Sequence, residues 1–189
     1  MKLIEIVPYD TRWPTQFEAL RQVYVAALDG DTVSVEHVGS TSVPGLAAKP
    51  ILDIDLVIPS RRDLAPAVRR LARLGYRHQG DLGIVGREAF SRDGADDVPR
   101  DGSGRQWPEH HLYVCAADSE ELHRHLAFRA ALRADPRLVE DYAALKRALA
   151  ERFRHDRDAY STAKTEFVQR VLADARQLIE GESARLGQE

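Results

Sequence analysis

Two aspartates, Asp53 and Asp55, interrupt the apolar run ILDIDLVI. Side chains alternate along a strand, so both project from one face, about 7 Å apart, while Ile54 and Leu56 face the other way. Carboxylates that close are costly to bury unless a cation or a donor neutralises them. A divalent ion does this, and hard oxygen ligands favour Mg²⁺ or Mn²⁺, held jointly by carboxylates and substrate phosphates. The other reading is a solvated strand end. Upstream, HVGSTSVPG sets Gly39 before Ser40, Thr41 and Ser42. A glycine lets the chain turn sharply and a ligand approach, and the hydroxyls and backbone N–H groups that follow can cradle phosphate oxygens. The same residues can instead cap an ordinary turn. Exchanging either aspartate for asparagine is expected to leave the free protein as stable or more stable, because like-charge repulsion is relieved.

Other side chains offer positive charge. Lys49, between turn and strand, meets a phosphate or water. Lys164 shares a helical stripe with Tyr160, Phe167, Val168 and Val171, so it either snorkels to the core edge or points into a cleft at an anion. Arg129 and His125, one turn apart beside the Leu122–Leu126 seam, read as a phosphate clamp or a packing residue and as a structural histidine, respectively. His123 and His125 lie about 200° apart around a helix and cannot share an ion. Cys115, the single cysteine, sits in the apolar HLYVCA and reads as core. The acidic connection RDGADDVPRDG lacks the ligand spacing of a calcium loop and reads as solvated.

These groups must be placed by the surrounding elements. Alternation predicts strands over Leu3 to Val7, TVSVEHV, PILDIDLVIP, Leu82 to Phe90 and Glu109 to Cys115. Apolar spacing of three and four predicts helices over DTRWPTQFEALRQVYVAALDG and over RRDLAPAVRRLARLG, ended by Gly75. From Ser119 only helices are expected: Ser119 to Ala134, Pro136 to Phe153, and about Asp156 to Glu180, with SEEL and DPRL placing caps on the first two. Mixed elements followed by helices alone predict an α+β fold, one unit with a sheet part over about 1–117 and a helical layer over about 118–181; the tail GESARLGQE is expected to fray.

The 189 residues carry 27 Lys and Arg against 30 Asp and Glu, and the net charge of −3 offers no general attraction to nucleic acid or anionic lipid. Trp13 and Trp107 stand without basic interleaving, which argues against a base-stacking platform. No run approaches the ~20 apolar residues of a membrane span. The expectation is a cytoplasmic protein with a small-molecule partner, no nucleic acid and no membrane.

A Gly-Ser turn followed about a dozen residues later by Asp-Xaa-Asp resembles the signature of the nucleotidyltransferase superfamily, with its polymerase-beta-like fold. More specifically, VEHVGSTSVPGLAAKPILDIDLVI, HLAFRAALRADPRLVEDYAALKRALAERF and AYSTAKTEFV resemble the GrpB family over nearly the whole chain. A similar domain is fused behind dephospho-CoA kinase in some bacteria. The resemblance implies a nucleotidyltransferase-like mixed sheet, phosphate binding by Gly39 and Ser40, and Mg²⁺ or Mn²⁺ on Asp53 and Asp55, bridging the phosphates of a nucleoside triphosphate. Thr41, Ser42, Lys49, Arg129 and Lys164 join the candidate nucleotide contacts. The sequence departs from the superfamily at the third carboxylate, where EHHLYV offers His111 as base or outer orienter. A nucleotide or CoA-like ligand bound without turnover, or an accessory folding or interaction domain, is the alternative.

Overall fold

The protein is described from a computed structural model covering residues 3–28, 30, 32 and 34–186, with side chains to residue 177. The first helix, α1 (Trp13–Leu28), buries Leu20, Tyr24 and Leu28 on one stripe. Two strands follow, β1 (Ser34–Val38) and β2 (Leu52–Ile58), separated by a 3₁₀ turn over Ser40–Ser42. Helix α2 (Leu64–Arg73) leads to Gly75, which takes φ +94°. Strands β3 (Arg77–His78), β4 (Arg87–Ser91) and β5 (His110–Ala116) complete a five-stranded mixed sheet of order β1-β2-β5-β4-β3. Its centre is the parallel pair β2 and β5; every other pairing is antiparallel.

The period of two sorts β2 into two faces. Leu52, Ile54, Leu56 and Ile58 join α1 and α2 in the main core, together with Leu112 and Val114 of β5. Asp53 and Asp55 therefore lie on the opposite face, which the C-terminal helices cover. Helix α3 (Glu120–Ala134) starts at Ser119, whose hydroxyl accepts from the Leu122 N–H, and α4 (Pro136–Arg152) at Asp135, whose carboxylate accepts from the Arg137 N–H, as SEEL and DPRL predict. On that face Val57 and Cys115 pack against Leu122, and burial pushes the Cys115 thiol up to about 12.

Four expectations are corrected. Residues 3–7 form no strand: Val7 alone bridges to Ala48, while the Ile4 N–H donates to the Arg154 carbonyl. Residues 82–86 turn rather than extend, with Leu82, Gly83 and Gly86 at positive φ, so β4 begins at Arg87. The last helix is two, α5 (Arg157–Thr162) and α6 (Thr165–Leu186), so much of the tail expected to fray is helical and residues 187–189 lie outside the described residues. The acidic connection is anchored, since Val98 and Trp107 are buried and the Trp107 indole donates to the Pro99 carbonyl. Among the described residues no helix is long and apolar enough to cross a membrane.

Candidate functional site

Parallel pairing sets Asp53 beside His111 and Asp55 beside Tyr113. His111 Nδ1 lies 2.9 Å from Asp53 Oδ1, and its Nε2 lies 3.2 Å from Arg157 Nη2. A guanidinium can only donate, so Nε2 accepts; the ring proton sits on Nδ1 and points at Asp53. Burial works against the Asp53 carboxylate, yet the His111 hydrogen bond and nearby charges hold it below the usual carboxylate range.

Asp55 departs from expectation. It does not open into the cleft: it is 0% exposed and closed over by His125, whose Nδ1 is 2.7 Å from Asp55 Oδ2. The other ring nitrogen of His125 is 3.3 Å from Glu121 Oε1. Burial disfavours charge on this imidazole, but the two carboxylates outweigh it and raise its pKa to about 9. The structural reading of His125 is thus incomplete, because it is the partner that lets Asp55 be buried. Among the described residues Asp55 Oδ1 has no hydrogen-bond partner.

The turn is shaped by Gly39, at φ 66° and ψ −170°, a region open essentially to glycine alone. A Cβ there would sit 3.0 Å from Asp53 Cβ and Cγ and nearer still to Oδ2. Ser40 and Thr41 line the cleft, whereas two other candidates serve the turn itself. The Ser42 hydroxyl donates to the Gly39 carbonyl at 2.7 Å. Arg129 does not reach the cleft as a phosphate clamp: it donates to the His37 carbonyl at 2.7 Å and to Glu36 at 3.0 Å. Arg133, one turn on and overlooked in the sequence, donates to the Ser42 carbonyl at 2.6 Å. Short-range geometry claims both arginines before any ligand can.

Gly39, Asp53, His111 and His125 line a cavity of about 320 Å³. Lys49 and Lys164 line it, and Arg87, Lys146 and Arg157 join them without having been singled out; among the described residues Asp53 is the one carboxylate on its wall. Lys49 and Lys164 both stand over the Tyr160 ring, 5.0 and 4.4 Å from its centroid. Lys146 donates to the Ala47 carbonyl and lies over Tyr142. Burial, then the neighbouring positive charges, lower Lys146 to about 7 and Lys164 to about 8.

That crowding gives a pH dependence. Both amines have folded values below their ordinary 10.5. From about pH 7 towards 10 the unfolded chain holds protons that these two amines have released in the folded chain, so their contribution to stability rises with pH across that window, against that of His125, which falls between about pH 6.5 and 9. Below it the burial penalty is present in full. Inorganic triphosphate, by holding the amines charged, is expected to raise Tm and flatten the rise; a Tm advantage of Lys164→Met over wild type that does not narrow from pH 7 to 9 without ligand contradicts the assignment.

The chain matches the family model described as GrpB protein over residues 3–174. It is 39% identical over 172 residues to a UPF0157 protein of Pseudomonas aeruginosa, spanning 91% of this chain and 67% of that protein. It is 27% identical over 176 residues to a dephospho-CoA kinase of Mycolicibacterium paratuberculosis, spanning 85% of this chain and 43% of the kinase. Among solved structures it is similar to conserved protein GrpB from Enterococcus faecalis, with TM-score 0.77, 30% identity, and coverage of 93% of this chain and 99% of that one. A likeness of fold alone links it to the Cid1 poly(U) polymerase bound to MgATP, with TM-score 0.50, 12% identity, and coverage of 77% of this chain and 45% of the polymerase. The α+β fold is nucleotidyltransferase-like.

Proposed function

We propose that this chain, which belongs to the GrpB family, binds a nucleoside triphosphate with one divalent ion in the cavity beside Gly39 and transfers its nucleotidyl group to an acceptor, the chain acting as one domain in the cytoplasm. One observation carries the reading: five Lys and Arg side chains line a 320 Å³ cavity with a single carboxylate among them, against a turn where no Cβ fits. Charge-assisted contacts of this kind are how proteins meet phosphate.

The donor set fits Mg²⁺ or Mn²⁺ through Asp53. Asp53 is a carboxylate on the cavity wall, and the absence of a Cβ at Gly39 lets it stand directly against the turn. Among the described residues no three His, Cys, Asp or Glu side chains converge as a metal cage, so the ion would share its ligands with phosphate oxygens. Asp53 would hold it from the cavity wall, while Asp55, sealed behind His125, lies out of its reach, and when bound it would neutralise charge developing on the phosphates.

The chain's own groups supply the remainder. Lys49, Lys164 and Arg157 hold the phosphates, with the Ser40 and Thr41 hydroxyls at the turn. His111 Nε2, released as Arg157 moves to the phosphates, takes the proton of an acceptor hydroxyl, while Asp53 fixes the ring. The acceptor oxygen then bonds to the α-phosphorus and pyrophosphate leaves. Labelled triphosphates incubated with a cell extract should release pyrophosphate and label an acceptor. His111→Ala should stop the labelling and leave triphosphate binding within about threefold. Binding without pyrophosphate, across both metals, would replace transfer by the second reading.

That second reading is a site that binds a nucleotide or CoA-like phosphate without turnover, or an accessory folding or interaction domain. It is favoured by β5, which sets His111 rather than a third carboxylate beside Asp53, and by the kinase relative, of which this chain spans under half.

A further inference from the structure

Arg87 opens β4 opposite Cys115, and alternation sets it on the same sheet face as Tyr113, His111 and Asp53. Its guanidinium carbon stands 4.3 Å from the centroid of the Tyr113 ring, and the side chain lines the cavity while only 15% exposed. A guanidinium carries five N–H donors and no acceptor. Among the described residues Arg87 Nε is buried without a hydrogen-bond partner, and Nη1 lies 4.0 Å from Glu121 Oε1, beyond hydrogen-bond reach. A buried donor left unmatched costs free energy that an accepting ligand recovers.

The other cations gather elsewhere in the cavity. Lys49, Lys164 and Arg157 are close enough to repel one another, and Arg157 meets His111 near the start of β5. Arg87 pairs four residues further along that strand, with Tyr113 between, about 13 Å of backbone at the standard rise. That is the scale separating the outer phosphates of a nucleotide from its base. We infer that Arg87 reads the nucleobase of the triphosphate and makes the site prefer guanine to adenine, an inference that rests on the nucleoside triphosphate reading. A fork that only donates needs two acceptors side by side. Guanine presents O6 and N7, whereas adenine sets an amino donor beside N7. Tyr113 holds the guanidinium by cation–π attraction, so the fork is formed before the base arrives. Arg87 is a specificity-determining residue: it touches the base and not the reacting phosphorus.

Calorimetric titrations with Mg²⁺ and the β,γ-imido analogues of GTP and ATP, beside inorganic triphosphate, test it in wild type, Arg87→Gln and Arg87→Lys. Wild type is expected to bind the guanosine analogue at least about tenfold more tightly than the adenosine one. Arg87→Gln offers one donor and one acceptor, which match adenine N7 and N6, and is expected to bring the two within about threefold or to reverse their order. Arg87→Lys keeps a cation beside Tyr113 but loses the fork, and is expected to lose the preference as well. A positive charge that served the phosphates alone would weaken both nucleotides and inorganic triphosphate alike on substitution by glutamine and leave the ratio where it was. Equal affinities or an adenine preference in wild type, or a ratio unmoved in the variants, would overturn the inference. Inorganic triphosphate bound with neither nucleotide would overturn it too and leave the phosphate site standing. Binding of none of the three would refute the proposed function and the inference with it.

Discussion

Asp55→Ala is expected to cost about 3–5 kcal/mol of stability, whereas Asp53→Ala, two residues away on the same strand face, costs under about 1 kcal/mol. Asp55 is 0% exposed and 2.7 Å from the imidazolium of His125, so removing it strands a charge between a new cavity and Glu121. Breaking one side of a buried pair is expensive for that reason. Asp53 and His111 are 34% and 30% exposed, and water can replace what is lost. In a domain of this size the Asp55 deficit lowers Tm by roughly 6–20 °C. Asp55→Asn preserves the shape and lies between, still destabilising. Repulsion between the aspartates, the basis of the expectation from sequence, is outweighed because His125 already answers Asp55. Thermal and urea unfolding of the variants checks this, and equal losses for Asp53→Ala and Asp55→Ala would refute it.

Gly39→Ala is expected to remove triphosphate binding and to lower stability by about 2–3 kcal/mol. Two costs add. The backbone at φ 66° and ψ −170° strains any residue with a Cβ. The methyl would also press on the Asp53 carboxylate, which must rotate away from His111 and from the place where an ion and phosphates would meet it. Binding therefore fails even at temperatures where the variant is folded. An alanine variant that melts like wild type and binds the triphosphate analogue with unchanged Kd would show that the turn plays no part.

The reason the sequence speaks to some of this site and not to the rest is range. Alternation in ILDIDLVI places both aspartates on one face, and the Gly39 turn and the caps at Ser119 and Asp135 are set by residues within three positions. These were legible. That Asp55 is sealed depends on His125, 70 positions away, and a histidine beside a Leu seam carries no sign of its partner. Arg157 left no signal at all. Lys146 did: it follows Tyr142 and precedes Leu149 on the buried stripe of α4, the same pattern that singled out Lys164. Arg129 stays open between clamp and packing residue in the sequence because a guanidinium beside a glycine turn serves the turn's own carbonyls as readily as a ligand's phosphate. The division of the last helix into α5 and α6 is invisible in a spacing of apolar residues that runs on through the break.

The measurement that bears most directly on the central claim is a calorimetric titration of wild type and Lys164→Met with Mg²⁺ and a β,γ-imido nucleoside triphosphate. Lys164 lines the cavity, and loss of one charge-assisted phosphate contact is worth about 1.5–3 kcal/mol. The account predicts one nucleotide per wild-type chain, a Kd about 10- to 100-fold weaker in Lys164→Met, and a ligand-free variant at least as stable as wild type, since a buried amine crowded by Lys49 has gone. Absence of binding to wild type by all four ribonucleoside triphosphate analogues with Mg²⁺ or Mn²⁺, or equal Kd values in the two proteins, would contradict it.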